Sequence, residues 1–409
     1  MRIIVQKFGG TSLKTPELRQ RVVQHVQKAL EEDYRVVIVV SAMGRRGDPY
    51  ATDTLLDLIN HNGKELNPRE RDLLLSCGEI ISASTLSSML KMEHIDNCVL
   101  TGGQAGIVTN DTFSNAQIIA VNPKRLMEEL ARVPVAIVTG FQGQTPQGEV
   151  TTLGRGGSDT TATALAVALH AEMVDIFTDV EGIMTADPRI VEDAAPLDTV
   201  TYTEISNLAF QGAKVIHPRA VEIAMQTNIP IRVRSTLSDH AGTLVTHLNE
   251  INRTKNDVHD RLITGITQVP GVTQIKITAA EDDYDLHLKV FKAMAAHGIS
   301  VDFISVNPSG IAYTVFDHVA ERAQAILEEM GYRPQVLSNC AKVSTVGAGI
   351  AGVPGVMAKI VEALTQNEIP ILQSADSHTT IWVLVHGHHM VRAVRALHHQ
   401  FELHKLYIH

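Results

Sequence analysis

Along the first half of the chain, short apolar runs rich in β-branched residues alternate with stretches of helical spacing. Ile3–Val5, Val36–Val40, Val135–Thr139 and Val174–Thr178 have the length and composition of buried strands. Between them apolar positions recur on one helical face, as at Val22, Val26, Ala29 and Leu30, or fill the alanine-rich segment Thr160–Ala171. Strand then helix, with polar or glycine-rich turns at the strand ends, predicts an α/β domain with a largely parallel central sheet over residues 1–246. The polar stretch 247–260 (HLNEINRTKNDVHD) reads as a linker.

Beyond the linker the pattern repeats itself at one constant offset, without a gap. Val290 falls on Ile360, Ala293 on Ala363, Met294 on Leu364, Ile299 on Ile369 and Val301 on Ile371. Farther on, Ile311, Tyr313 and Val315 fall on Ile381, Val383 and Val385. Agreement in both the helical and the alternating stretches predicts two ferredoxin-like βαββαβ units, over 261–340 and 341–409.

Composition narrows the function classes. Apolar residues make up 44% and charged residues 20%, as in a folded globular protein. A formal net charge of −10 argues against nucleic acid or an anionic membrane as the main partner. The N-terminus MRIIVQKFGG lacks the apolar core of a secretion signal, and runs such as Val36–Val40 are too short to span a bilayer. Three cysteines, Cys77, Cys98 and Cys340, are far apart and form no metal-binding or disulfide framework. A reducing cytoplasm is the expected setting, no resident metal is expected, and Cys77 is expected to be a buried structural thiol.

Three segments carry candidate chemistry. Lys7-Phe8-Gly9-Gly10-Thr11-Ser12 follows the opening strand, and its glycines let backbone N–H groups approach an anion beside a lysine charge. A plain strand-to-turn transition would read the same way. Gly154-Arg155-Gly156-Gly157-Ser158-Asp159 stands before the helix Thr160–Ala171, where free N–H groups and the helix dipole favour an anion. Ser158 or Asp159 acting as an ordinary N-cap is the competing reading, but capping does not call for an arginine between glycines. The third segment, Thr178-Asp179-Val180-Glu181-Gly182, continues to Asp187-Pro188-Arg189, with Lys214 downstream; an acidic turn at a strand's C-terminal edge is where open α/β sheets bind nucleotides. A solvated turn is the alternative. No GxxxxGK[ST] occurs, so a P-loop is excluded.

Taken together, KFGGTS at 7–12, VVSAMG at 39–44, Gly78-Glu79, GRGGSD at 154–159, TDVEGIMTADPR at 178–189 and KVIHP at 214–218 resemble the aspartokinase family of the amino-acid kinase fold over nearly the whole chain. GDPYATD at 47–53 and SADSHTTIW at 374–382 are similar to the diaminopimelate-sensitive members found in bacilli. The resemblance implies transfer of the γ-phosphoryl group of ATP to the β-carboxylate of L-aspartate. It assigns Lys7, Phe8, Gly9, Gly10, Thr178, Asp179, Met184, Arg189 and Lys214 to MgATP. Met184 stands where the family has an aromatic residue near the adenine. Ser41, Thr52, Glu79, Arg155, Gly156, Gly157 and Ser158 are assigned to aspartate. Arg155 offers a planar fork for the α-carboxylate and Glu79 a partner for the α-ammonium. The nucleophile is already ionised at neutral pH, since its reference pKa is about 4, so no general base is called for. Lys7 and Lys214 are expected to neutralise the transferred phosphoryl group, Asp159 to orient Lys7, and Mg2+ to ride on ATP oxygens.

By the same resemblance the two C-terminal units are ACT repeats. The turn Gly352-Val353-Pro354-Gly355-Val356 is expected to bind an inhibitory amino acid, with meso-diaminopimelate first and lysine or threonine next. The first repeat has Glu281-Asp-Asp-Tyr-Asp at that place, which speaks against a second effector site there. Gly347-Ala-Gly349-Ile-Ala-Gly352 matches GxGxxG, but too little chain follows for a dinucleotide domain. His386, His388, His389, His398, His399 and His404 could include a metal site but read as solvated helix and loop faces. ACT units expose sheet edges, so a homodimer or higher homo-oligomer is expected. An acceptor such as glutamate, or a non-catalytic amino-acid sensor, are the competing functions.

Overall fold

The four apolar runs form the middle of one sheet. In the computed structural model, which describes residues 1–59, 66–213, 215–247, 262–279, 285–348, 350 and 352–407, this sheet has eight strands. Their spatial order is Thr199–Thr201, Thr243–Thr246, Ile231–Ser235, Met173–Thr178, Arg2–Phe8, Tyr34–Val40, Val135–Thr139 and Asn97–Leu100. All neighbours are parallel except the pair Ile231–Ser235 and Thr243–Thr246. Val36 to Val40 are fully buried, because helices cover both faces of a parallel sheet. A smaller four-stranded sheet, containing Gln142–Gln144 and Val150–Thr152, leads into the GRGGSD segment.

Helix starts follow local chemistry. Thr15 caps Pro16–Glu31 by accepting from the Leu18 N–H at 3.3 Å, and Asn67 caps Pro68–Met92 by accepting from Arg69 N–H at 3.1 Å. Proline follows each cap at the position where its missing N–H costs nothing. Among the described helices, Pro68–Met92 is long and apolar enough to cross a membrane by length and composition. It is nevertheless a core helix. Buried Asp72 on it accepts from the Ser114 and Thr152 N–H groups at 2.8 and 2.7 Å, and Glu79 is buried as well. Serines and charged residues interrupt its apolar run, which is why run length alone did not single it out. Cys77 on this helix is exposed, contrary to expectation: one residue away, Gly78 faces Ala42, and Cys77 is turned outward.

The chain divides into two compact units. The first comprises Met1–Ile183, Pro196–Ala209 and Lys214–Val258; the second comprises Met184–Ala195, Phe210–Ala213 and His259–His409. In the second unit both repeats share one antiparallel six-stranded sheet, in the order Asp302–Asn307, Gly310–Phe316, Gly265–Thr278, Gln335–Val346, Thr380–His386, Gln373–Asp376. Val290, Tyr313 and Leu327 pack in one core, and their counterparts Ile360, Val383 and Leu397 in the other. Ile263 and Ile266 join the second core although they stand at the start of the first repeat in sequence. The strand Gly265–Thr278 therefore serves both repeats, its late half pairing with Gly310–Phe316 and its early half with the end of Gln335–Val346. Residues 248–260 of the linker and 281–284 of the first repeat's altered turn lie outside the described residues.

Candidate active site

Strands Met173–Thr178, Arg2–Phe8 and Tyr34–Val40 run side by side in one direction, so Phe177, Phe8 and Val40 end at one edge. The turns that leave it are laced together. Ser41 N–H donates to Phe8 O at 3.1 Å, Gly44 N–H to Gly10 O at 2.9 Å, and Thr236 N–H to Thr178 O at 3.0 Å. A Cβ on Gly10 would stand 2.4 Å from Ala42 O, so only glycine allows these two turns to touch. Phe8 is fully buried and stacks on Phe177 with ring centroids 4.5 Å apart. Its side chain is thus part of the floor, and only its backbone faces the edge.

Lys7, next to the strand end, points its ammonium at Asp159, with Nζ 2.7 Å from Oδ1. Both side chains are nearly buried, which strengthens the pairing relative to a surface ion pair. The other Asp159 oxygen, Oδ2, accepts from His217 N–H at 3.2 Å, tying the KVIHP turn to the same carboxylate. Asp159 lies in the first turn of the helix Gly157–Leu169, whose start carries no side-chain cap. The capping alternative for Ser158 and Asp159 is therefore not what the chain does: Ser158 Oγ accepts from Ser41 Oγ at 2.9 Å, and Asp159 turns to Lys7. Gly156 has φ of 68°, and a Cβ there would stand 2.1 Å from the His217 ring. Arg155 is exposed on the same turn.

Glu79 comes from the helix Pro68–Met92. One oxygen accepts from Ala42 N–H at 3.0 Å; the other is buried and has no hydrogen-bond partner. Burial pushes its carboxyl up to about 8. A buried carboxylate with one unengaged oxygen is a ready partner for an incoming cation. Thr52 opens the helix Thr52–Ile59. Asp179 is exposed, accepts from Thr178 Oγ1 at 3.2 Å and pairs with Arg45 at 2.8 Å.

Among the expected residues, Lys7, Gly9, Gly10, Ser41, Glu79, the 155–159 turn, Thr178 and Asp179 thus all belong to the first unit. Met184 and Arg189 belong to the second, where Arg189 pairs with Asp187 at 2.8 Å. Lys214 lies outside the described residues. Arg45 and His217 were not singled out from the sequence. Arg45 directly follows the VVSAMG signature and His217 sits inside KVIHP, so adjacency to each motif was the available signal.

Comparison with known proteins fits this geometry. The model of the amino acid kinase family matches residues 2–235, and an ACT domain model matches 335–399. The chain is 60% identical over 405 residues to aspartokinase 1 of Bacillus subtilis, covering 99% of this chain and 100% of that protein. It is 38% identical over 409 residues to an aspartokinase of Geobacillus stearothermophilus, covering 98% of each. Among solved structures it resembles Escherichia coli aspartokinase III in complex with aspartate and ADP, at 26% identity and a TM-score of 0.76, over 98% of this chain and 99% of that one. The same enzyme with lysine and aspartate gives 27% and 0.74, over 98% and 100%. Sequence, domain order and fold agree: the chain belongs to the aspartokinase family, ATP-dependent kinases that act on the aspartate carboxylate.

Proposed function

We propose that the first unit phosphorylates the β-carboxylate of L-aspartate from MgATP, with Lys7 as the cation on the transferred phosphoryl group and Asp159 as the residue that positions it. The Lys7–Asp159 pair, 2.7 Å apart at an uncapped helix start, is the observation that carries this reading. Backbone N–H groups of Gly9, Gly10 and the 156–158 turn add dipoles where phosphate charge accumulates. Thr178 and Asp179 contribute from the neighbouring strand end. Mg2+ arrives with ATP as part of the substrate and screens the phosphate charge.

Aspartate is held by Arg155 at its α-carboxylate and Glu79 at its α-ammonium, with Ser41, Ser158 and Thr52 around the reacting end. Ionised Glu79 is costly without a cation, so the bound ammonium favours the carboxylate and a proton leaves below about pH 8. The β-carboxylate attacks phosphorus directly. One P–O bond forms, the bond to ADP breaks, and no proton moves at the reacting centre.

We take the catalytic domain as 1–246 and the ACT repeats as 261–340 and 341–409, although Met184–Ala195 and Phe210–Ala213 pack in the second compact unit. A cavity of about 430 Å³ lined by Gly352, Val353, Gly355, Val356, Ser374 and Asp376 supports an amino-acid effector at the second repeat. Asp376 suits an effector with a second ammonium group, which meso-diaminopimelate and lysine carry and threonine lacks; the order meso-diaminopimelate, lysine, threonine otherwise rests on the family resemblance. Edge strands Asp302–Asn307 and Gln373–Asp376, with Ile304 and Val306 exposed on the former, support pairing of subunits through the repeats in a cytoplasmic homo-oligomer.

A coupled assay with MgATP across aspartate, glutamate and N-acylated glutamate tests the acceptor: turnover should depend on aspartate. Preference for glutamate, or turnover without any acceptor, would refute the reading. Inhibition titrations with the three effectors test the regulator.

A further inference from the structure

The C-terminal histidines were read as solvated, yet His398 is 1% exposed and faces a carboxylate far away in sequence. His398 Nδ1 lies 4.0 Å from Asp193 Oδ1, and His404 Nδ1 lies 3.9 Å from Asp193 Oδ2. The three ligand atoms of Asp193, His398 and His404 fall within 4.8 Å of one another. All three residues belong to the second unit.

These separations are too long for hydrogen bonds, whose N–O distance is about 2.7–3.2 Å. They suit a bridging ion instead: two ligands each about 2.0–2.2 Å from one metal stand roughly 3–4.3 Å apart. The widest pair needs to close only slightly. His404 Nδ1 is buried without a hydrogen-bond partner, which leaves its lone pair available. His398 Nε2 lies 2.9 Å from Thr185 Oγ1, which also accepts from Ala195 N–H at 2.9 Å. A hydroxyl oxygen accepts two such bonds, so Nε2–H can donate to it while Nδ1 stays bare toward Asp193. That is the outer partner a metal-binding histidine ordinarily has.

We propose that Asp193, His398 and His404 bind a divalent transition metal, with Zn2+ the best match to two imidazoles and one carboxylate. Mg2+ from the nucleotide does not compete, since it prefers oxygen ligands in an octahedron. The metal would pin the segment Met184–Ala195 to the helix Met390–Gln400, alongside the bond from Arg395 Nε to Ile190 O at 2.7 Å.

The test is titration of chelator-treated full-length protein with Zn2+ alone, by calorimetry and thermal unfolding. Wild type should bind one ion per chain, gain melting temperature, and show slower amide exchange over 184–195. Asp193→Asn and His404→Gln should each weaken binding at least about tenfold, whereas the double variant His388→Asn, His389→Asn should bind as wild type. No binding, equal binding by the Asp193 and His404 variants, or loss in the His388/His389 variant would overturn the proposal.

Discussion

Two glycine-rich runs follow a strand and precede a helix, GRGGSD at 154–159 and GAGIAG at 347–352, and they serve different ends. In the first, the helix Gly157–Leu169 begins inside the run, and Gly156 takes a left-handed conformation beside His217. Parallel strands bring Lys7, Ser41 and Thr178 to the same edge, so charge converges on the helix start. In the second, the run ends an antiparallel strand, and a Cβ on Gly347 would stand 2.0 Å from Leu262 O. Its helix starts only at Val356, after a further turn with Gly352 and Gly355 at φ of 78° and 91°. The cavity there is lined by Val353, Ile381 and Asp376 rather than by lysine and arginine. A glycine string takes its surroundings from the direction of the strands around it: here a parallel edge gathers charged side chains at a helix start, and an antiparallel one leaves a small niche.

The comparison can be broken at the first site with the largest effect. Asp159→Ala removes the partner of Lys7 and the acceptor of His217 N–H, and should lower kcat by about 10²-fold or more, with far-ultraviolet circular dichroism retained. Gly156→Ala comes next. A residue with a side chain in the left-handed region costs about 1–2 kcal/mol, and here the new methyl also meets the His217 ring. Roughly tenfold loss of kcat/KM, a cost of about 1.4 kcal/mol, is expected in steady-state kinetics.

Glu79→Gln sharpens the account of the acceptor. Loss of the ammonium partner should raise KM for aspartate about tenfold, a loss of about 1.4 kcal/mol of binding, with a smaller change in KM for ATP. It also has a pH signature. The Glu79 carboxyl sits at about 8 in the folded protein against 4.5 as the reference value. The folded state therefore holds the proton more tightly, and Glu79 lowers stability as pH rises from about 4.5 to about 8. Without substrate, Glu79→Gln should gain melting temperature over wild type at pH 8.5 and little at pH 4.5 or below.

The smallest effect belongs to the second run. Gly355→Ala, with open space around its Cβ and only the positive φ to strain it, should leave kcat unchanged and weaken effector inhibition severalfold in titrations with meso-diaminopimelate. A loss of catalysis equal to that of Gly156→Ala would erase the distinction between the two runs.

How much of this was legible in the sequence depended on the distance over which each signal acts. The strands around Val5, Val36–Val40 and Val135–Thr139 follow from apolar runs, because burial on both faces demands them. The repeat was legible because the two cores use equivalent positions, such as Val290 and Ile360. Pairings across long separations were not. Nothing local to His398 announces Asp193, and Ile263 gives no sign of joining a core that combines residues beyond 340 with Ala186 and Val191. Nor did the TDVEGIMTADPR motif disclose that Ile183 and Met184 fall in different compact units. Cys77 failed for a related reason: on a helix with apolar residues on several sides, composition does not say which face turns outward.

The central claim is that Lys7, held by Asp159, supplies the charge for phosphoryl transfer to aspartate. Trapping the acyl phosphate with hydroxylamine measures that step directly, in wild type and in Lys7→Ala. Wild type should yield aspartyl hydroxamate from MgATP and L-aspartate, and Lys7→Ala should yield it at least about 10²-fold more slowly at saturating substrates. Near-normal hydroxamate formation by Lys7→Ala would contradict the account.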